Sequence, residues 1–237
     1  MEMKERVVVI SGATGGLGRV AACQFAQAGA SLALFSRSQE KLDRLVDQLG
    51  LPNERCLAAA LDLVEPLAAQ SAAEQTLTHF GRADILLHLV GGWVGGQPLA
   101  DSDPALFESM LNQHAWSTFH LAQAFLPHFT GQGWGRVIVV SSPSAGLPRA
   151  NGGLYAAAKA AQESLVLSIA QEVKGSGVTA NILRVNTIDV EHQRGQAPSR
   201  ENAGWTTPEE ICAAVFYLCS PEAAQVNGAR IPLYGSP

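Results

Sequence analysis

Short apolar segments typical of β-strands alternate with helix-forming segments along the chain. The predicted strands span residues 6–11, 31–35, 55–60, 84–90, 136–141, 178–185 and 229–233. The first predicted helix follows a glycine-rich turn and ends at residue 28, and the others span residues 39–49, 67–80, 106–129, 153–174 and 208–219. Because the strands are apolar throughout, both faces of their sheet must be covered. The sequence therefore predicts an α/β fold with a parallel sheet between two layers of helices.

No linker or internal repeat divides the chain, so we predict one domain over residues 1–237. The polar segment 192–204 is too short to be a domain and is predicted to be a loop. Pro127 is predicted to interrupt the helix over residues 106–129 near its end.

Composition excludes several classes of function. The net charge is −5 without any basic block, so nucleic acid is not expected as a partner. No apolar run reaches membrane-spanning length, so no membrane is expected either. The four cysteines lack the spacing of metal ligands, and we interpret them as reduced, mostly buried thiols of a cytoplasmic protein.

The glycine-rich turn 11–18, with the sequence SGATGGLG, follows a predicted strand and opens a helix. Glycines allow a tight turn and a close approach of the backbone to a pyrophosphate, and the helix N-terminus supplies amide donors. This context favours dinucleotide binding. The alternative is a tight turn that only packs the helix on the strand.

Tyr155 and Lys159 stand four residues apart at the head of a predicted helix, so their side chains share one face. A nearby cation favours the ionised phenol and is expected to lower the pKa of Tyr155. Ser142 lies thirteen residues before Tyr155, at the end of a predicted strand. Ser142 is expected either to hydrogen-bond a reacting oxygen or to cap the strand end, a role that Ser141 can also fill.

Together, the glycine-rich turn, Asp62 after the third strand, Ser142, and the pair Tyr155 and Lys159 resemble the short-chain dehydrogenase/reductase family, in an atypical bacterial branch. The resemblance implies one Rossmann-like, doubly wound domain with a mostly parallel seven-stranded sheet. It also implies oxidation or reduction of an alcohol/carbonyl pair with NAD(P)(H), with Tyr155 as the proton donor and Lys159 on the nicotinamide ribose. The implied cofactor-binding residues are Ser11, Gly12, Thr14, Gly16, Leu17, Gly18, Ser36, Arg37, Asp62, Leu63, Val90, Gly91, Tyr155, Lys159 and Ile188.

The chain departs from the family pattern at three places. The Asn-Asn-Ala-Gly after the fourth strand is His88-Leu89-Val90-Gly91 here. The Pro-Gly after the sixth strand is Val185-Asn186, and Val190 replaces a threonine. His114 aligns with an asparagine that, in the family, keeps the helix open around a proton-relay water. Our hypothesis is that His114 takes over this relay and titrates between pH 5 and 8; alternatively it is only a packed helix residue.

Cofactor preference can be inferred from the end of the second predicted strand. An NAD-specific site often places a carboxylate there, but this chain has Ser36 and Arg37. The planar guanidinium of Arg37 can pair with a 2′-phosphate. We therefore expect NADP(H), with NAD(H) as the alternative. The alternative interpretation of Arg37 is a solvated residue at the start of a helix.

Three further expectations concern function and assembly. A non-catalytic dinucleotide-binding sensor and a reductase of a C=N bond, such as a pterin, remain alternatives to a carbonyl/alcohol oxidoreductase. The substrate is a small molecule that the sequence does not identify. A homo-tetramer or homo-dimer is expected because two long predicted helices carry surplus apolar residues, namely Trp116, Phe119, Phe125, Leu165 and Ile169.

Overall fold

Seven parallel strands form the central sheet of the computed structural model, which describes residues 3–234. These strands are β1 (Val7–Ser11), β2 (Ser31–Ser36), β3 (Cys56–Ala60), β4 (Ile85–His88), β5 (Gly135–Ser141), β6 (Val178–Arg184) and β9 (Arg230–Pro232). Their order across the sheet is β3-β2-β1-β4-β5-β6-β9, and every neighbouring pair is parallel. The predicted α/β class and the seven-stranded parallel sheet are therefore confirmed.

Helices cover both faces of this sheet. They are α1 (Gly16–Gln27), α2 (Gln39–Leu49), α3 (Pro66–Phe80), α4 (Pro104–Leu111), α5 (Ser117–Gln132), α6 (Gly153–Glu172), α7 (Gln193–Gln196) and α8 (Pro208–Cys219). The buried apolar side chains of α1, α2 and α8 belong to one cluster, and those of α3, α5 and the later turns of α6 belong to another. Within β1, Val8 and Ile10 join the first cluster while Val9 joins the second, as the two-residue period of a strand requires.

The long helix predicted over residues 106–129 differs from the observed one. A π-helical turn, Asn112–Trp116, separates α4 from α5, and α5 continues through Pro127 to Gln132. The predicted interruption at Pro127 is therefore wrong. Pro127 removes one helical hydrogen bond, whose acceptor would be the carbonyl of the exposed residue Gln123. Phe125 and Phe129, both fully buried, anchor the helix on either side of the proline.

The segment 192–204, predicted to be a loop, contains the short helix α7. Asp189 is buried and begins this turn, because its carboxylate accepts the backbone N–H groups of Gln193 and Arg194 at 2.8 Å each. Two short parallel strands, β7 (Thr187–Ile188) and β8 (Trp205–Thr206), close the segment. Within residues 3–234, no helix has the length and hydropathy needed to cross a bilayer.

Candidate active site

The carboxyl ends of β1, β4 and β5 bring most of the expected site residues to one edge of the sheet. The strand order reverses between β1 and β4, since β1 is followed in the chain by strands on one side and β4 by strands on the other. Open α/β sheets bind ligands in the crevice at such a reversal. Ser11 ends β1, His88 ends β4, and Ser142 directly follows β5.

The glycine-rich turn has the tight geometry that its sequence predicts. Gly12 has a φ of +74°, and a Cβ there would lie 2.9 Å from the carbonyl carbon and oxygen of Leu89. A Cβ on Gly18 would lie 2.3 Å from the Gly12 carbonyl oxygen. No side chain caps the N-terminus of α1, where Gly15 precedes the first helical residue. The exposed backbone N–H groups therefore fit a pyrophosphate, which needs donors and no intervening side chain.

Residues from three other segments lie around the glycine-rich turn. Thr14 Oγ1 and Ser36 Oγ are 2.5 Å apart, so the turn is tied to the end of β2. Arg37 is exposed beside Ser36 and, within residues 3–234, forms no salt bridge. After β3, Asp62 is exposed and Leu63 is buried. An exposed cation thus stands where the sequence predicted a 2′-phosphate partner.

Four further expected cofactor-binding residues come from α1, from the segment after β4 and from β7. Leu17 is buried in the first turn of α1, Val90 and Gly91 follow β4, and Ile188 is half-buried in β7. Val190 packs directly on the glycine-rich turn: a Cβ on Gly16 would lie 2.5 Å from Val190 Cγ2. The loop after β6 therefore contacts the turn through an apolar side chain at the position where the family has threonine.

Ser142 and Tyr155 form the polar centre of the site. Ser142 is buried, and its Oγ accepts the backbone N–H of Ser144 at 3.2 Å. Burial raises the pKa of Tyr155, and a hydrogen bond with Ser142 opposes that rise. Ser141, in contrast, donates to Glu163 at 2.8 Å in a separate buried cluster. Ser142 is thus both a cap and the partner of Tyr155, and Ser141 is neither.

Lys159 is deeply buried, and the expected lowering of the Tyr155 pKa is not found because burial of the phenol outweighs it. Its Nζ lies 6.0 Å from the centre of the Tyr155 ring. It donates instead to the Val140 carbonyl at 2.7 Å and to Gln162 Oε1 at 2.9 Å. Burial lowers the pKa of Lys159 to about 7, against the raising effect of Glu163. The ammonium is therefore only partly charged near neutral pH, and burial dominates both members of the pair.

His114 lies in the π-helical turn and packs edge-on against Tyr155, with 5.5 Å between ring centres. Its Nε2 is 3.0 Å from the Gly92 carbonyl oxygen and must donate, because a carbonyl only accepts. Nδ1 is then an acceptor, and it has no partner among residues 3–234. Burial and the charge of Lys159 lower the pKa of His114 to about 3, against the hydrogen bond to Gly92. The expected titration of His114 between pH 5 and 8 is therefore contradicted.

His88, which sequence reasoning noted only as a departure, joins the glycine-rich turn to the first residue of α5. Its Nδ1 lies 2.6 Å from Ser11 Oγ, and its Nε2 lies 3.0 Å from Ser117 Oγ. The Ser117 hydroxyl donates to the Gln113 carbonyl, so it accepts from His88 Nε2–H, and Ser11 donates to Nδ1. Burial, with the charges of Lys159 and His114, lowers the pKa of His88 to about 3. A neutral imidazole therefore satisfies every bond it makes.

The two buried histidines predict acid sensitivity. Their folded pKa values of about 3 lie below the value of 6.5 for a free histidine, so the unfolded chain binds more protons as pH falls below 6.5. Each histidine should make the free energy of unfolding fall by roughly 1.4 kcal/mol per pH unit between pH 6 and pH 4. The free energy of unfolding, measured with urea at several pH values in this range, should depend on pH less steeply, by the equivalent of one proton, in His88→Asn and in His114→Asn. Native slopes in both variants would mean that neither histidine is neutral in the fold.

Comparisons with known proteins agree with this arrangement. Residues 6–201 match the family model described as short chain dehydrogenase. Sulfoacetaldehyde reductase 2 from Chromohalobacter salexigens is 30% identical over 235 residues, covering 95% of this chain and 93% of its own. The 7alpha-hydroxysteroid dehydrogenase of Escherichia coli K12 is 26% identical over 246 residues, covering 99% and 95%. A crystal structure of a short chain dehydrogenase from Bacillus anthracis superposes with a TM-score of 0.88 at 28% identity, over 99% of this chain and 97% of that one.

Proposed function

The chain belongs to the short chain dehydrogenase family, as an NAD(P)-dependent oxidoreductase, and we propose that it transfers a hydride between NADP(H) and a carbonyl or alcohol substrate. The observation that carries the proposal is the placement of Ser142, at the end of β5, beside α6, which carries Tyr155 and buried Lys159. This group lies at the edge of the sheet where the amide donors at the N-terminus of α1 have no side-chain cap. A proton donor and a dinucleotide cradle are thus on one crevice.

The cofactor fits the residues of the crevice. The N-terminus of α1, with Gly16, Leu17 and Gly18, would hold the pyrophosphate. Thr14, Ser36 and Arg37 would hold the adenosine ribose and its 2′-phosphate, and Asp62 and Leu63 would flank the adenine. Val90, Gly91 and Ile188 would line the nicotinamide end, with Tyr155 and Lys159 on its ribose. The absence of a carboxylate at the end of β2 favours NADP(H) over NAD(H).

Tyr155 supplies the proton in the proposed reaction. The bound nicotinamide supplies or accepts the hydride. Because burial raises the pKa of Tyr155, its phenol is fully protonated at neutral pH and can donate to the oxygen of a carbonyl as that oxygen gains charge. Ser142 would hydrogen-bond the same oxygen and stabilise its developing charge. Charged Lys159 would then favour the phenolate that remains, because an opposite charge stabilises an ionised group.

His114 has a positioning role in this proposal. As a neutral imidazole it binds the Gly92 carbonyl and supports one edge of Tyr155. Its unpartnered Nδ1 can accept a hydrogen bond from a hydroxyl or a water at the nicotinamide end of the crevice. With Nε2–H held on a carbonyl and Nδ1 only accepting, neutral His114 would orient such a hydroxyl or water and would not itself carry a proton.

A substrate screen tests the proposed function. Purified protein is mixed with NADPH and a panel of ketones, aldehydes, quinones and pterins, and the loss of NADPH absorbance is followed. A steroid ketone and a sulfonated aldehyde join the panel because the names of two relatives indicate such substrates. Turnover of carbonyls supports the proposal. Turnover of pterins alone would favour the C=N alternative, and NADPH binding without any turnover would favour a sensor.

We also propose a homo-oligomer that buries the aromatic face of the π-helical turn and α5. Trp116 is 50% exposed and Phe119 is 38% exposed, and their rings contact each other edge-on at 5.8 Å. Phe125 and Ile169, expected among the surplus apolar residues, lie in the core instead, and Leu165 is half-buried. An exposed aromatic pair of this kind is typical of an interface, and a second copy of this chain would cover it.

Light scattering checks the proposed assembly. The native protein should be a tetramer or dimer at micromolar concentration, and Trp116→Glu with Phe119→Glu should produce smaller species because charges would be buried at the interface. Leu67→Glu is the matched control for adding a charge at an exposed apolar position, since Leu67 is 78% exposed and lies on a different helix, α3. A native monomer would exclude the assembly.

A further inference from the structure

Gln162 is a buried polar residue on α6 that contacts the active-site lysine. The side chain is 1% exposed, three residues after Lys159. Gln162 Oε1 accepts Lys159 Nζ–H at 2.9 Å, and Gln162 Nε2 lies 2.9 Å from Thr118 Oγ1. Thr118 Oγ1 in turn lies 2.6 Å from the His114 carbonyl oxygen. A line of side-chain hydrogen bonds thus joins Lys159 to the backbone of the π-helical turn.

The direction of every bond in this line is fixed. The His114 carbonyl can only accept, so the Thr118 hydroxyl donates to it and has a lone pair for Gln162. The amide nitrogen of Gln162 therefore donates to Thr118, and the amide oxygen must face Lys159. The opposite amide orientation would place two donors against the ammonium and is excluded. Thr118 thus orients an acceptor at Lys159.

Two acceptors then determine what Lys159 can do. The Val140 carbonyl and the Gln162 amide oxygen each take one N–H donor from Nζ. A charged ammonium has a third donor left, whereas a neutral amine has only a lone pair in its place. Within residues 3–234, no other acceptor bonds to Nζ. The charged and neutral forms of Lys159 therefore differ only in this third direction, where the first presents an N–H donor and the second a lone pair.

We propose that Gln162 is a positioning residue for the reaction, which orients the Lys159 ammonium and stabilises its charged form against burial. This inference rests on the proposed function in one respect: in that function, the charge of Lys159 stabilises the Tyr155 phenolate. Hydrogen bonds to a charged group favour that charge, and this one comes from an amide held in place at its other end. The amide itself does not titrate, so the line fixes a charge without carrying a proton towards His114.

The other titratable groups near Lys159 are either already bonded to other residues or uncharged at neutral pH, so none of them replaces Gln162. Glu163, on α6, raises the pKa of Lys159, but its carboxylate is already bonded by Arg184 and Arg230. His88 on β4 and His114 in the π-helical turn are neutral above pH 4 because their pKa values are about 3. Tyr155 on α6 is protonated at neutral pH. Between pH 5 and 9, the titration of Lys159 should therefore appear as a single step.

Carbon-13 NMR of the Lys Cε groups measures that step directly. The chain has only four lysines, at positions 4, 41, 159 and 174, and Lys159→Arg identifies the signal. The native midpoint should lie near pH 7. Gln162→Leu removes an acceptor and should lower the midpoint by about one pH unit. Gln162→Glu places a carboxylate at the same point and should raise it by about two pH units.

Two variants of Thr118 and one control complete the design. Thr118→Val releases the amide and should move the midpoint in the same direction as Gln162→Leu, by less, whereas Thr118→Ser should restore the native value. Gln171→Leu, at an exposed position of the same helix, should also leave it native. If Gln162→Glu and Thr118→Val both titrate like the native protein, Gln162 only packs α6 and the proposal fails, even if Gln162→Leu does not fold.

Turnover adds a readout that separates the two proposals. At pH 7, Gln162→Leu should be about fivefold slower than native, because a one-unit fall leaves roughly a tenth of Lys159 charged, and the rate should recover near pH 5.5. If the variants change the titration midpoint of Lys159 as expected but the native protein reduces no carbonyl, the positioning of Lys159 is upheld and the proposed function is rejected. If the native protein reduces carbonyls but the variants leave the midpoint unchanged, the proposed function is upheld and the positioning role is rejected.

Discussion

The Tyr155→Phe variant is expected to reduce carbonyls at least about a hundredfold more slowly than the native protein, in the range of a lost general acid. Phenylalanine keeps the ring that His114 contacts edge-on but removes the phenolic hydroxyl, whose pKa is influenced by Ser142. NADPH affinity should change little, because most of the proposed cofactor contacts lie on the glycine-rich turn and β2. Steady-state turnover and NADPH fluorescence measure the two effects separately.

Tyr217→Phe is the matched control for this experiment. Tyr217 is half-exposed on α8, outside the crevice, so losing its hydroxyl should leave turnover native. A Tyr155→Phe variant with near-native turnover would show that another group donates the proton.

The Arg37→Asp variant should bind NADPH about ten- to a hundredfold more weakly, whereas NADH affinity should stay level or improve. The change replaces a charge-assisted partner of the 2′-phosphate with a repelling carboxylate, and one such contact has about this effect on affinity. Fluorescence titration with both cofactors gives the ratio.

Arg44→Asp makes the same charge change on the exposed face of α2, where Arg44 pairs with Glu40. This control separates a specific phosphate contact from a general loss of positive potential. Equal affinity of the native protein for NADPH and NADH would contradict the assigned preference, whatever the variants do.

The fold could be predicted because its main signals are local. Most strands of the central sheet are rich in apolar residues, and Val8, Val9 and Ile10 are all fully buried because both faces of the sheet are covered. No local periodicity encodes the π-helical turn, and only the family resemblance at His114 pointed to an opened helix there. Pro127 was misjudged for the same reason: the buried rings of Phe125 and Phe129 outweigh one lost helical bond.

The sequence predicted which residues lie together at the candidate site but not their electrostatics. The spacing of Tyr155 and Lys159 suggested that a cation would lower the pKa of the phenol. In the fold, burial raises the pKa of Tyr155 and lowers that of Lys159. Sequence spacing reveals which side chains share a helix face, but not how far they are from water. Gln162 was missed although its i+3 spacing from Lys159 was visible, because its partner Thr118 is 44 residues away.

Hydride transfer from NADPH to a carbonyl can be followed directly by deuterium labelling. Protein, a reactive ketone or aldehyde from the screen, and NADPH with both hydrogens at C4 of the nicotinamide replaced by deuterium are incubated, and the product is examined by mass spectrometry. The proposed function predicts one deuterium on the carbinol carbon of the alcohol, formed at least about a hundredfold more slowly with Tyr155→Phe. NADPH that binds but leaves no deuterium in any product of the whole panel would contradict it.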